Sequence, residues 1–492
     1  MAWCTMPSVA ACTRLLLQAS LALAALLAAQ ASSALGGEAI QPWPYAQVPY
    51  AGIHGNASNN NLVAYSTAQA YVPGWHALPL SAVVQPNTFS PDGRLTYLTT
   101  TPSPAHRGCT LFALDTKSGR VRWCRVLRPA SVGSAVEVDE TGRLFLSNGA
   151  AVLAFSDQGK RLWQQTLDGI AVGVHFTPQG LVATASGAGT VYLLDRKTGA
   201  MVASLNIPTA FDLPATWNAT PGAGFFGAGL GFTNNTLAVA PDGMVFVSGR
   251  GERDGQGAVA ALRLVPSNPP HLEPAWLGNL EGLSATSPAV SGDGRWVAVG
   301  DGIGSGAAGI ALFDASSCAV DAATPGEPFG HCAPHVRYSW QGEPILGSPV
   351  IEPDGTVFFW ERGLRQAATH HVLRLQADGV VTRVALPDGL AWNSAMTASA
   401  NHLLGTASRM VQGPLGGIIR LEHFLVALDK VTGKIAWRYA LPADSAASVS
   451  LGPDGALYVG FLAPLATFGF VSNPLSNPPP AFGLMQWQPA AP

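Results

Sequence analysis

Ala427-Leu428-Asp429-Lys430-Val431-Thr432-Gly433-Lys434-Ile435-Ala436-Trp437 reads as two β-strands joined by a tight turn. Apolar residues run up to Asp429, Asp and Gly supply the turn, and a second apolar run ends in Trp437. The same grammar stands at Ala113-Leu114-Asp115-Thr116-Lys117-Ser118-Gly119-Arg120-Val121-Arg122-Trp123, with Ala, Asp, Gly and Trp in the same register. A copy one residue shorter runs from Ala154 to Trp163, and one without Trp from Leu193 to Ala203. A supersecondary unit that recurs along the chain implies a repeat fold.

A second turn alternates with the first. Ser90-Pro91-Asp92-Gly93 is followed by kindred turns at Asp139–Gly142, Thr177–Gly180, Ala240–Gly243, Ser291–Gly294, Glu352–Gly355 and Gly452–Gly455, with a degenerate form at Ser399–His402. Proline presets φ at the second turn position and glycine supplies the positive φ that closes the hairpin. These turns mark eight units at roughly 50-residue spacing, each with two hairpins and so four antiparallel strands. The expected fold is an all-β propeller of eight blades, or seven if the last, poorly formed unit is not a blade. Tyr71–Leu78 has the register of an outer strand, so an N-terminal strand is expected to close the ring; the segment around Trp487 competes for that place.

The pairing of an Asp-Gly turn with Ala-x-Asp-x-x-x-Gly-x-x-x-Trp resembles the pyrroloquinoline-quinone-like repeat of quinoprotein propellers, from about Trp75 to Phe461. The copies ending at Trp123 and Trp437 fit it closely. The resemblance implies that Trp75, Trp123, Trp163 and Trp437 stack between neighbouring blades, with Trp276 and Trp340 in equivalent places. For an enzyme it implies a quinone site, a Ca²⁺ held by Glu, Asn and Asp, a catalytic Asp, and in many alcohol dehydrogenases a disulfide between adjacent cysteines. This chain has no adjacent cysteine pair and no Cys-x-x-Cys-His.

The ends divide the chain further. Leu15 to Ala29 is a short apolar run after Arg14, followed by the small residues Ala31 to Ala34, which predicts a signal peptide over 1–34. An irregular lead-in over 35–62, a propeller over 63–465 and a Pro-rich tail over 466–492 follow. An exported protein is expected, secreted or in a periplasmic or endomembrane lumen, with no transmembrane segment. Four cysteines remain beyond the leader, and their even number predicts the disulfides Cys109–Cys124 and Cys318–Cys332, with free thiols as the alternative. A net charge of −3 with 12% charged residues excludes a basic surface for nucleic acid over the whole chain. The sequons at Asn56, Asn218 and Asn234 are merely permissive.

Loop lengths point to the working face. Turns linking strands one to two and three to four share one face and are short. Connections on the other face vary, and the longest, Pro208–Asn234, carries Trp217. Variable loops on a constant frame carry function. The candidate contact residues are therefore Trp217, Arg250, Arg253, Glu361 and Arg362, and no catalytic or metal residues are assigned. The expected function is a monomeric, non-catalytic exported propeller that binds a protein or glycan and needs no cofactor. The alternative is a dehydrogenase of alcohols or sugars dependent on pyrroloquinoline quinone and Ca²⁺.

Overall fold

The computed structural model of the chain describes residues 43–490, apart from 130–133, 214–234, 254, 304, 306, 322–328, 343–344, 346–347, 362–369, 413–417, 446 and 462–481. The leader and Trp217, Arg362, Asn218 and Asn234 lie outside the described residues.

Turn chemistry builds each blade. In blade one, Thr88–Phe89 leads into Ser90–Gly93, where the Ser90 hydroxyl donates to Asp92 at 2.6 Å and Gly93 takes φ 68°. The chain returns as Leu95–Ser103 and pairs onward, always antiparallel, with Cys109–Asp115 and Val121–Arg125. Blades two to seven span 137–166, 175–206, 238–279, 289–340, 350–385 and 391–441. In blade seven the inner strand comes in two pieces, Ala391–Trp392 and Thr397–Ala398. The eighth blade joins Ser450–Leu451, Leu457–Phe461 and Gly483–Pro489 to Tyr71–Ala77 on its outer edge. The propeller thus has eight blades and is closed by the N-terminal strand. Both competing segments find a place: the strand of Trp487 is third and that of Trp75 fourth.

The core lies between blades. Second and third strands are continuous apolar runs such as Leu111–Leu114 and Val245–Val247, buried on both sides. Outer strands alternate, as Arg161–Thr166 does from Leu162 on, with every second residue exposed. Burying apolar surface at about 25 cal/mol per Å² over eight seams is the main stabilising term.

Several seams share a recurring lock. Trp75, Trp123 and Trp163 lie on Gly119, Gly159 and Gly199 of the next blade, where an added Cβ would come within 2.7, 2.7 and 2.5 Å of the indole. Their indole N–H groups donate to the carbonyls of Thr116, Asp157 and Arg196 at 2.8, 2.8 and 3.1 Å. Where the repeat carries valine, Val384 packs on Gly433 and Val336 approaches Gly379. Blade eight takes its third and fourth strands from opposite chain ends and so has no such turn. There Trp437 meets Tyr71, with ring centroids 5.3 Å apart. Trp340 departs from its expected register: it ends its strand opposite Ala308 and packs on Phe359.

Blade five lacks the turn for a different reason. Its third and fourth strands are joined through a helix, Ala315–Asp321, and a strand, Gly330–Cys332. That strand pairs in parallel with His271–Asn279, giving blade four a fifth strand contributed by blade five. Trp276, opposite Ala261, is fully buried beneath it and packs on Phe313 at 5.7 Å. Both predicted disulfides, Cys109–Cys124 and Cys318–Cys332, are formed. The second ties the helix to the added strand. Among the described residues no helix is long and apolar enough to cross a membrane.

Candidate binding face

The axis of the ring is occupied by the chain itself. An inner strand presents an unpaired edge, and its last residue needs an acceptor for its N–H. Phe89, Val138, Val239, Val290, Ile351 and Ala398 end the inner strands of six blades. Their N–H groups donate to the carbonyls of Tyr50, Ala51, Ala57, Ser58, Asn60 and Asn61 at 2.7–3.2 Å. In blade three, Phe176 donates to the Tyr45 hydroxyl at 3.2 Å. Each donor directly precedes a short turn, so the segment lies toward the short-turn end of the axis. His54, Asn59 and Asn61 take left-handed φ of 56°, 52° and 56°. Asn tolerates that conformation better than most residues, which explains the Asn-rich sequence.

Side chains fasten the segment. The Asn59 amide donates to the Leu237 carbonyl at 2.8 Å, which turns its oxygen to His175 Nε2, 2.9 Å away. His175 Nε2 therefore carries a proton, and in the neutral ring Nδ1 accepts from the Tyr45 hydroxyl at 3.1 Å. Glu137 accepts from the Ile53 N–H at 2.7 Å and sets its other oxygen 3.7 Å from His175 Nδ1. Burial pushes the Glu137 carboxyl above its usual range, offset in part by His175. Burial and the Glu137 charge hold the Tyr45 phenol well above its usual range. His54 Nδ1 faces the Asn61 amide oxygen at 3.2 Å, and burial lowers its pKa to about 3. Sequence reasoning missed Tyr45, His54, Asn59, Asn61, Glu137 and His175; the run Asn59-Asn60-Asn61 was the signal that could have found them.

On the variable-loop face, Arg250 ends a strand of blade four, Arg253 lies in the exposed loop after it, and Glu361 ends a strand of blade six. Blade five stands between them, so the described candidates do not form one constellation. Glu361 is held by Arg383 at 2.7 Å, with His371 Nδ1 3.7 Å away. Glu252 lies 3.9 Å from His331. Asp301 is a buried strand end held by Arg337 at 2.5 Å.

Ser408, His423 and Asp444 meet at the same end of blade seven. Ser408 Oγ lies 2.8 Å and Asp444 3.8 Å from His423, but both face Nδ1. A nucleophilic relay needs serine and carboxylate on opposite ring nitrogens, so this is a hydrogen-bonded brace. Among the described residues no group of three His, Cys, Asp or Glu could hold a metal.

The family model described as outer membrane protein assembly factor BamB matches residues 148–211, parts of blades two and three. No curated protein sequence matches. A europium-containing methanol dehydrogenase is 13% identical over 91% of this chain and 98% of its own, with a TM-score of 0.57. The quinohemoprotein alcohol dehydrogenase of Comamonas testosteroni is 12% identical over 94% and 83%, also at 0.57. The Dos1 propeller is 11% identical over 86% and 96%, at 0.51. These structures share the fold, an eight-bladed β-propeller in this chain, and the family match places a repeat of the assembly-factor type at residues 148–211.

Proposed function

We propose that this chain is an exported, non-catalytic propeller that binds a protein or glycan partner through its variable-loop face. The observation that supports the reading is the division of labour between the two ends of the ring. The short-turn end of the axis is filled by residues 43–63, whose carbonyls meet the inner strands. The unequal connections gather at the opposite end, on a frame stiffened by two disulfides and a strand shared between blades. The disulfides also support an oxidising compartment, and the match to the assembly-factor family favours a binding role over chemistry.

The test uses the full mature chain as bait in its own secretome or periplasm. Trp217→Ala, Arg253→Ala and Arg362→Ala should keep the fold and weaken capture of the partner. Loss of folding by all three would count against the loop placement. A parallel titration with pyrroloquinoline quinone and Ca²⁺ should produce neither dye reduction nor saturable thermal stabilisation; both together would replace this reading with a quinoprotein dehydrogenase.

A further inference from the structure

Charge is unevenly spread around the ring. Residues 88–206, blades one to three, contain twelve Lys and Arg against eight Asp and Glu, while the whole chain has 27 against 30. Three of its five lysines, Lys117, Lys160 and Lys197, lie in the outer turns of these consecutive blades. With Arg120 they are exposed and take part in none of the ion pairs among the described residues. Exposed Arg94, Arg122 and Arg161 continue the strip.

Four of the eight acids of the sector, Asp115, Glu137, Asp139 and Asp195, are buried or half-buried. Asp115 accepts from the Ser118 N–H and hydroxyl at 3.0 and 2.8 Å and from Arg122 at 2.6 Å. Asp195 accepts from the Thr198 N–H and hydroxyl, both at 2.7 Å. Glu140 is spent on Arg196 at 2.5 Å, and Glu137 and Asp139 are buried. Asp157 is exposed. Apolar side chains interleave with the cations: Leu162 is 45% exposed beside Arg161, Met201 56% at the start of blade three's outer strand, and Val126 46% just past Arg125.

We infer that the outer rim of blades one to three docks on an anionic lipid bilayer surface. Cations alone would suit any polyanion. Interleaved apolar side chains gain only where they can enter an interfacial layer, and that combination selects lipid. The surface is separate from the variable loops, so the partner face stays free while the rim is docked.

The test is co-sedimentation of the full mature chain with vesicles of phosphatidylcholine, alone or mixed with phosphatidylglycerol. Binding to the mixed vesicles only is expected, and it should vanish near 1 M salt, where charges are screened within about 3 Å. Reversing Lys117, Arg120, Lys160 and Lys197 to Glu should weaken it at least about a hundredfold, at roughly fivefold per charge. Circular dichroism should show that variant folded, since these side chains hold no partner. Leu162→Ser with Met201→Ser should weaken vesicle binding without changing retention on heparin. Equal binding to neutral vesicles, no binding to either, or an unaffected charge-reversal variant would overturn the inference. So would capture by heparin without vesicle binding, which would assign the rim to a soluble polyanion.

Discussion

The indole N–H of Trp123 donates to the Asp157 carbonyl at 2.8 Å while its ring covers Gly159 of the next blade. Glycine is required there twice over. Its φ is 72°, and a Cβ would strike the indole. Gly159→Ala should therefore destabilise by about 1 kcal/mol from backbone strain alone, and by more once the ring is displaced. Trp123→Ala should cost about 3 kcal/mol, at the lower end for a large aromatic because the ring is half-buried. Urea unfolding followed by far-ultraviolet circular dichroism measures both. A loss below about 0.5 kcal/mol in each would remove the seam lock from the account.

Asn59→Ala strips two partners from the axis, the Leu237 carbonyl and His175 Nε2. Leaving buried polar groups unmet costs about 1–3 kcal/mol each. The variant should melt well below the parent, and hydrogen exchange should speed at Phe176 and Val239 before the outer strands. Uniform acceleration across all blades would show that the axial segment is not a distinct unit.

Two buried groups on the axis should respond to pH with opposite sign. The folded state prefers neutral His54, whose pKa is lowered to about 3. Its contribution is complete above the ordinary histidine value of about 6.5 and is lost as pH falls toward 3. Glu137 is raised above its ordinary 4.5, so its contribution is complete below that value and is lost as pH rises through the folded-state pKa. Glu137→Gln should raise the melting temperature at neutral pH and leave it nearly unchanged near pH 4. His54→Gln should flatten the acid-side decline. Melting curves across pH decide both.

Non-reducing peptide mapping should find Cys109 joined to Cys124 and Cys318 to Cys332. Cys318→Ser should lower stability by about 3 kcal/mol for a closed loop of this size, and expose Trp276 to quenching as the added strand loosens. Unchanged Trp276 fluorescence would mean that the strand holds without its tie.

Much of the frame was legible because it is local. Ser90-Pro91-Asp92-Gly93 and Asp115–Gly119 encode their turns in adjacent residues, and the fixed offset from turn to Trp123 marks the seam. The Trp340 placement failed because its blade replaces the regular turn with an insertion, and the register moved with it. The candidate face was legible only as loop lengths. Arg253 and Glu361 look alike in sequence as loop charges, yet the fold commits Glu361 to Arg383 and sets them two blades apart.

The sequence by itself determined the repeat, and it carried the count of eight blades over seven, the N-terminal strand over its Trp487 competitor and the two cysteine pairs as expectations that the structure bears out, because each rests on local spacing. Only the tertiary structure decided where residues 43–63 go. The N–H donors to their carbonyls are scattered over six blades from Phe89 to Ala398, and no periodicity links them. A segment chosen for its carbonyls and left-handed turns carries no apolar pattern, so its place becomes visible only when eight unpaired strand edges converge on one axis.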